Sequence, residues 1–140
     1  MSTNKMNFKL ISGRSNHELT SDIAKYLNIP ITKCCLEDFG NTELKVEIQE
    51  SVRGMHIFIL QTGCFNEKHT INDYLMELMS LVNACKLSSC KSITVILPCF
   101  PYARSDKKDA PRVPIGASMV TTMLESLGVN RIVSMDLHAG

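Results

Sequence analysis

Three short runs rich in β-branched residues constrain the architecture most: Met55 to Leu60 (MHIFIL), Ile93 to Leu97 (ITVIL) and Arg131 to Met135 (RIVSM). Helical spacing fills the intervals. Ile71 to Lys86 carries Leu75, Met79 and Val82 on one face, and a second segment starts near Pro114 and ends at Gly128. Apolar runs of this kind suit strands buried on both faces, and strands alternating with helices read as β-α-β units of a parallel sheet. Proline at a first turn and glycine just past a last turn support the second helix.

Upstream, Asn7 to Ser12 (NFKLIS) reads as another strand, and Ser15-Asn16-His17-Glu18 after it fits a capping box. Leu19, Ile23 and Leu27, with Tyr26 beside them, form a stripe predicted to face a core until Asn28 and Pro30 end the helix. Leu44, Val46 and Ile48 alternate with Lys45 and Glu47, the period of a half-exposed strand, with Ile31 to Leu36 as its partner. The connection from Glu37 to Glu43 has Gly40 and Asn41 for a turn but also Phe39, so a projecting hairpin is expected. The order β, α, β hairpin, β-α-β-α-β predicts an α/β fold: an open, mostly parallel, doubly wound sheet with right-handed crossovers and a projecting β-hairpin.

The chain has 140 residues, enough for one domain that buries about two-thirds of its unfolded surface. No repeat or linker divides it. With 44% hydrophobic and 21% charged residues it reads as globular rather than disordered. A formal net charge of +1 supplies no general attraction to nucleic acid or to an anionic membrane. The start, MSTNKMNFKL, lacks a signal-peptide core, and no apolar run approaches the ~20 residues that span a bilayer, so cytoplasm is the default. Cys34, Cys35, Cys64, Cys85, Cys90 and Cys99 form no C-x-x-C pair. They read as reduced, mostly buried thiols, with zinc binding or redox sensing as alternatives.

In open α/β sheets ligands bind beyond the carboxyl ends of the strands. Three loops leave that edge: Thr62 to Thr70, Pro98 to Val113, and the chain after Asp136. The second, at 16 residues, is long for such a connection, and loops of that length are usually functional. It carries Arg104, Lys107, Lys108 and Arg112 against Asp106 and Asp109. Arginine chelates phosphate oxygens with paired N–H donors and lysine adds a mobile point charge, so the patch suits a polyphosphate; charge alone also fits a solvated loop. Phe100 and Tyr102 just before it offer faces for a base, and Pro98 and Pro101 restrict the backbone.

Asp136 and His138 stand two apart at the end of the last strand, so their side chains are expected on the same side, where they could hold Mg²⁺ and bridge it to phosphate. Taken alone, a D-x-H pair also fits a hydrogen bond at a strand end. Phe39, Asn41 and Glu43 are expected to alternate along the hairpin and share a face that could read an adenine edge, or to plug the core. Neither a Walker loop nor a dinucleotide fingerprint is present, so side chains would have to handle phosphate.

Together, PCFPYARSDKKD with the following RVPI resembles the ATP-binding motif of the ribose-phosphate pyrophosphokinases (PRPP synthetases). SVRG, NDYLMELM and SMDLHA resemble other segments of that family in the same order, over about Ile11 to Ala139. The resemblance implies a phosphoribosyltransferase-like sheet. It implies a diphosphokinase that moves the pyrophosphoryl group of Mg-ATP to ribose 5-phosphate, giving PRPP and AMP for nucleotide biosynthesis. It implies Arg104, Ser105, Lys107, Asp109 and His138 at ATP, with Arg104 and His138 catalytic, and Asp136 with His138 at the metal. Phe39, Asn41 and Glu43 match an adenine-binding hairpin that reaches a neighbouring subunit, so homo-oligomers, commonly dimers building hexamers, or hetero-oligomers with other synthetase subunits are implied.

Several positions depart from the family pattern. Ser105 stands where most members carry glutamine, Gly40 and Thr42 replace serine and glutamine in the hairpin, and there is extra length around Phe65 to Thr70. The resemblance assigns residues 1–140 to the N-terminal ATP-binding domain and finds no second, ribose-5-phosphate-binding domain before Gly140. The expectation is weak Mg-ATP binding without useful PRPP synthesis by this chain alone. The alternative is a non-catalytic, associated or truncated subunit acting by oligomer assembly; the retained Arg104, Asp106, Lys107, Lys108 and Asp109 favour enzyme ancestry.

Overall fold

In the computed structural model, which describes residues 6–138, each apolar run forms a strand and each gap between them a helix. The elements are β1 (Phe8–Ser12), α1 (His17–Leu27), β2 (Cys34–Asp38), β3 (Leu44–Ile48), β4 (His56–Leu60), α2 (Ile71–Leu87), β5 (Ser92–Cys99), α3 (Gly116–Ser126) and β6 (Arg131–Asp136). Ala139, where the resemblance ends, lies outside the described residues, as does the stretch before Met6.

β1, β4, β5 and β6 lie side by side in that order, every pair parallel. Leu10 also bridges Ile31 in parallel on the far side of β1. The chain therefore first moves outward past β1 and later returns to add β4, β5 and β6 on the other side, which is a reversal of winding direction. Alternation along the strands explains the helices on both faces. Ile11, Ile57, Ile59, Ile93, Val95 and Leu97 join one cluster with Leu78, Leu81 and Val82 of α2 and Val120 and Leu124 of α3. Ser12, on the opposite face of β1, hydrogen-bonds through its hydroxyl to Thr20 of α1 at 3.0 Å. The doubly wound, mostly parallel sheet expected from the sequence is present.

Several local expectations need correction. Asn16, not Ser15, caps α1, its side chain accepting from the Leu19 N–H at 3.0 Å. Ser15 is instead drawn to Gln61, whose Oε1 accepts from the Ser15 backbone N–H at 3.1 Å and from its hydroxyl. α1 buries Thr20 and Ala24, while Tyr26 is 90% and Leu27 52% exposed. The helix rests on β1 through small residues, which leaves Leu19 and Ile23 half-buried and Tyr26 and Leu27 outside. Among the described residues β6 is the edge of the sheet rather than a covered strand, and Val133 and Met135 are exposed. Only Cys85 is buried; Cys34, Cys35, Cys64 and Cys90 are half-buried, Cys99 is exposed, and all six are free thiols.

β2 and β3 form a separate antiparallel pair, Cys34 opposite Ile48 through Asp38 opposite Leu44. Strand pairing thus runs two residues past the predicted boundary at Leu36. Phe39, Gly40, Asn41, Thr42 and Glu43 make the turn, closed by Phe39 N–H to Glu43 O at 2.7 Å and Thr42 N–H to Phe39 O at 2.8 Å. Thr42 takes a φ of 71°, so these positions do not alternate as a strand and do not share a pleated face. No helix of the described residues is long and apolar enough to cross a membrane.

Candidate functional site at the carboxyl edge

The three loops that leave the carboxyl ends of β4, β5 and β6 surround a cavity of about 1070 Å³. Gly63, Phe65 and His69 come from the first, Pro98 to Ser105 from the second, and Asp136, Leu137 and His138 from the third. The β4 and β5 loops meet at backbone distance, with Gly63 N–H donating to Cys99 O at 2.8 Å. A side chain at position 63 would stand 2.8 Å from that oxygen and 2.9 Å from Pro101 N, so only glycine permits the approach.

Arg104, Ser105, Asp136 and His138 all line this cavity. Lys107 and Asp109 are not among its lining residues; their side chains sit 3.9 Å apart, both largely exposed. Phe39, Asn41 and Glu43 are likewise outside the cavity of their own chain, exposed at the hairpin tip. The sequence patch is therefore divided. Arg104 faces the cavity with Asp136 and His138, while the lysine-rich stretch beyond it stands over solvent.

Local chemistry explains how Arg104 is presented. Tyr102, two residues earlier, takes a φ of 61°, a left-handed conformation uncommon for a bulky side chain. Its hydroxyl donates to Asn72 Oδ1 in the first turn of α2, which holds the turn in place. Ser105 closes the other side by capping α3, which has no cap of its own. The Ser105 hydroxyl accepts from Gly116 N–H at 2.9 Å, and its carbonyl accepts from Ala117 N–H at 3.0 Å. A Cβ at Gly116 would fit tightly, 3.0 Å from that of Tyr102 and 3.1 Å from that of Ser105.

A polar network, buried at Gln61 and Glu77 and exposed at Asp38, braces the far wall. Gln61, on the loop after β4, donates through Nε2 to Tyr74 O at 3.1 Å and to Glu77 Oε1 at 2.9 Å. Arg14 bridges Glu77 to Asp38 at the end of β2, and Asp38 Oδ2 pairs with His69 Nε2 at 2.8 Å. These contacts tie the hairpin to α2 and to the cavity loop. Sequence reasoning missed Arg14, Gln61, Asp38, His69 and Glu77, because the partners are separated by 16 to 63 residues and match no local motif. Phe65 of the cavity wall enters the sequence reading only as the start of extra loop length; its other signal is a large aromatic in an otherwise polar loop.

Magnesium suits one or two carboxylates completed by phosphate oxygens and water, not an all-protein cage. Among the described residues no cluster of three or more His, Cys, Asp or Glu could hold a metal. Asp136 with His138 at the cavity supplies a partial donor set that fits such an ion only with a ligand's oxygens completing it.

An open α/β sheet with a cavity of cationic, carboxylate and imidazole groups at its carboxyl edge defines a class of ligand-binding α/β domains. Within that class, residues 8–128 match the family described as the N-terminal domain of ribose phosphate pyrophosphokinase, and the chain belongs to this family. It is 47% identical over 131 residues to ribose-phosphate pyrophosphokinase 2 of Schizosaccharomyces pombe, covering 94% of this chain and 40% of that protein. It also superposes on the crystal structure of phosphoribosylpyrophosphate synthetase from Mycobacterium smegmatis, with a TM-score of 0.89 and 43% identity over 95% of this chain and 43% of that one. The chain thus spans about two-fifths of the length of these relatives.

Proposed function

We propose that residues 1–140 form an N-terminal domain that supplies the ATP and metal half of a ribose-phosphate diphosphokinase. The complete reaction moves the pyrophosphoryl group of Mg-ATP to ribose 5-phosphate, giving PRPP and AMP. The observation that carries the reading is the convergence of Arg104, Asp136 and His138, from two separate loops, on one cavity in a chain of this family.

In this reading the Arg104 guanidinium chelates phosphate oxygens and offsets the charge that builds on the polyphosphate during transfer. His138 would touch both a phosphate oxygen and the metal, and Asp136 with His138 would hold Mg²⁺. When bound, the ion screens the polyphosphate and orients it for in-line attack. Tyr102 and Ser105 act by position, fixing the turn on either side of Arg104. Ser105 can add a contact to ATP only by sharing the hydroxyl that already caps α3.

Lys107 and Asp109 reach ATP only if their exposed loop folds inward over the cavity. Phe39, Asn41 and Glu43 project from the hairpin tip and would serve the cavity of a neighbouring copy, which makes an oligomer part of the proposal. Titration of Mg-ATP into the Arg104→Ala variant tests the assignment. A loss of affinity of tenfold or more is expected; unchanged affinity would overturn it.

A further inference from the structure

Phe65 is 75% exposed, yet it lines the cavity rather than open surface. An exposed ring is unremarkable on a loose loop, but this loop is braced on both sides of it. Before Phe65, the Cys64 thiol contacts Ser15 O at 3.5 Å and Gly63 N–H bonds to Cys99 O. After it, Asn66 Oδ1 accepts from the backbone N–H groups of Lys68 at 2.9 Å and His69 at 2.8 Å. Asn66 Nδ2 donates to the Tyr74 hydroxyl at 2.7 Å, and His69 is anchored to Asp38. The backbone that carries Phe65 is thus held from four directions.

A second ring, Tyr102, is 41% exposed, lines the same cavity and is pinned by Asn72. Arg104 stands two residues from it on the same turn. Two aromatic rings carried on braced backbone, with one guanidinium in the same cavity, match a ligand that is planar and apolar at one end and anionic at the other, which is the chemistry of a nucleotide.

We propose that Phe65 is a base-stacking wall of this cavity, contributed by the chain's own loop and additional to any contact from the hairpin of a neighbour. The inference rests on the nucleotide reading above and sharpens it. Stacking uses the π-face that every base has, so Phe65 raises affinity for nucleotides over inorganic polyphosphates while discriminating weakly among bases.

The test is calorimetric titration of the full 140-residue chain with Mg-ATP and, separately, with Mg-tripolyphosphate, comparing the parent with Phe65→Ala, Phe65→Tyr and Arg104→Ala. Loss of one stacked ring should raise the Kd for Mg-ATP by about five- to a hundredfold in Phe65→Ala. Tripolyphosphate affinity should stay within about twofold, and Phe65→Tyr should restore ATP binding. Arg104→Ala should weaken both ligands. If Phe65→Ala binds Mg-ATP as tightly as the parent while Arg104→Ala does not, the stacking wall fails and the nucleotide reading survives. An equal loss for both ligands in Phe65→Ala also overturns it, since that reports a distorted loop. Absence of Mg-ATP binding by the parent sinks both readings together.

Discussion

Arg14 and Glu77 stand 63 residues apart in sequence and meet twice: the Arg14 backbone N–H donates to Glu77 Oε1 at 2.8 Å, and its Nε donates to Oε2. Glu77 is wholly buried among the apolar residues of α2, a place where a carboxylate survives only when paired. Burial works against the charge of Arg14, but its hydrogen bonds to Asp38 and Glu77 outweigh that and hold the guanidinium above its ordinary pKa. The pair is the joint between the start of α1, the hairpin and α2.

Removing the carboxylate leaves Arg14 and Gln61 facing a void. Glu77→Ala is expected to lower stability by about 3 kcal/mol, the scale for breaking a buried pair from one side. Urea unfolding followed by circular dichroism measures it. A midpoint equal to the parent's would mean that the network contributes nothing net.

Asp38 gives the network a pH dependence. Hydrogen bonds from Arg14 and His69 outweigh desolvation and lower its carboxyl from the ordinary 3.8 to about 2. A depressed folded-state pKa stabilises above the unfolded value and is lost as pH falls through the folded one. The Asp38 contribution should therefore be complete above about pH 4 and vanish toward about pH 2. Asp38→Asn is expected to show a shallower fall in melting temperature than the parent across that window. Parallel curves for the two proteins would remove Asp38 from the account.

Ser105 is expected to act mainly as the cap of α3. Ser105→Ala should cost about 1 kcal/mol of unfolding free energy, the scale for losing a hydroxyl that accepts from a helix's first N–H groups, with little change in Mg-ATP affinity. Thermal melts and a nucleotide titration read the two effects separately. Weaker binding at unchanged stability would give the hydroxyl to the nucleotide instead.

The thiols should react in an order set by burial. Cys99 is exposed at the cavity, whereas burial pushes Cys85 up to about 12 and Cys34 up to about 11. The thiolate is the reactive form, so alkylation at neutral pH should modify Cys99 first and Cys85 only after unfolding. Mass spectrometry of timed samples checks the order, and early labelling of Cys85 would contradict its place in the core.

Periodicity made most of the elements legible. β4, β5 and β6 fall within one or two residues of their apolar runs, and α2 within one of its stripe. Boundaries moved where side chains competed for the backbone. Ser15 was the better motif match for a cap, but Gln61 engages it and Asn16 takes the role. β6 looks like a buried strand because composition records the residues of a run and not what stands over them.

By itself the sequence determined the alternation of strands and helices, the long loop after β5 with Arg104 in it, and the placement of Asp136 and His138 at the end of β6, since each depends on neighbours a few residues away. Only the tertiary structure decided which of those groups share a cavity. Lys107 and Asp109 lie close in sequence to Arg104 yet stand outside it, and Phe65, more than thirty residues from Arg104, lies within. The same holds for Arg14, Asp38, His69 and Glu77. The partner that satisfies a buried charge is chosen by strand register and helix packing over long separations, and local spacing carries no record of that choice.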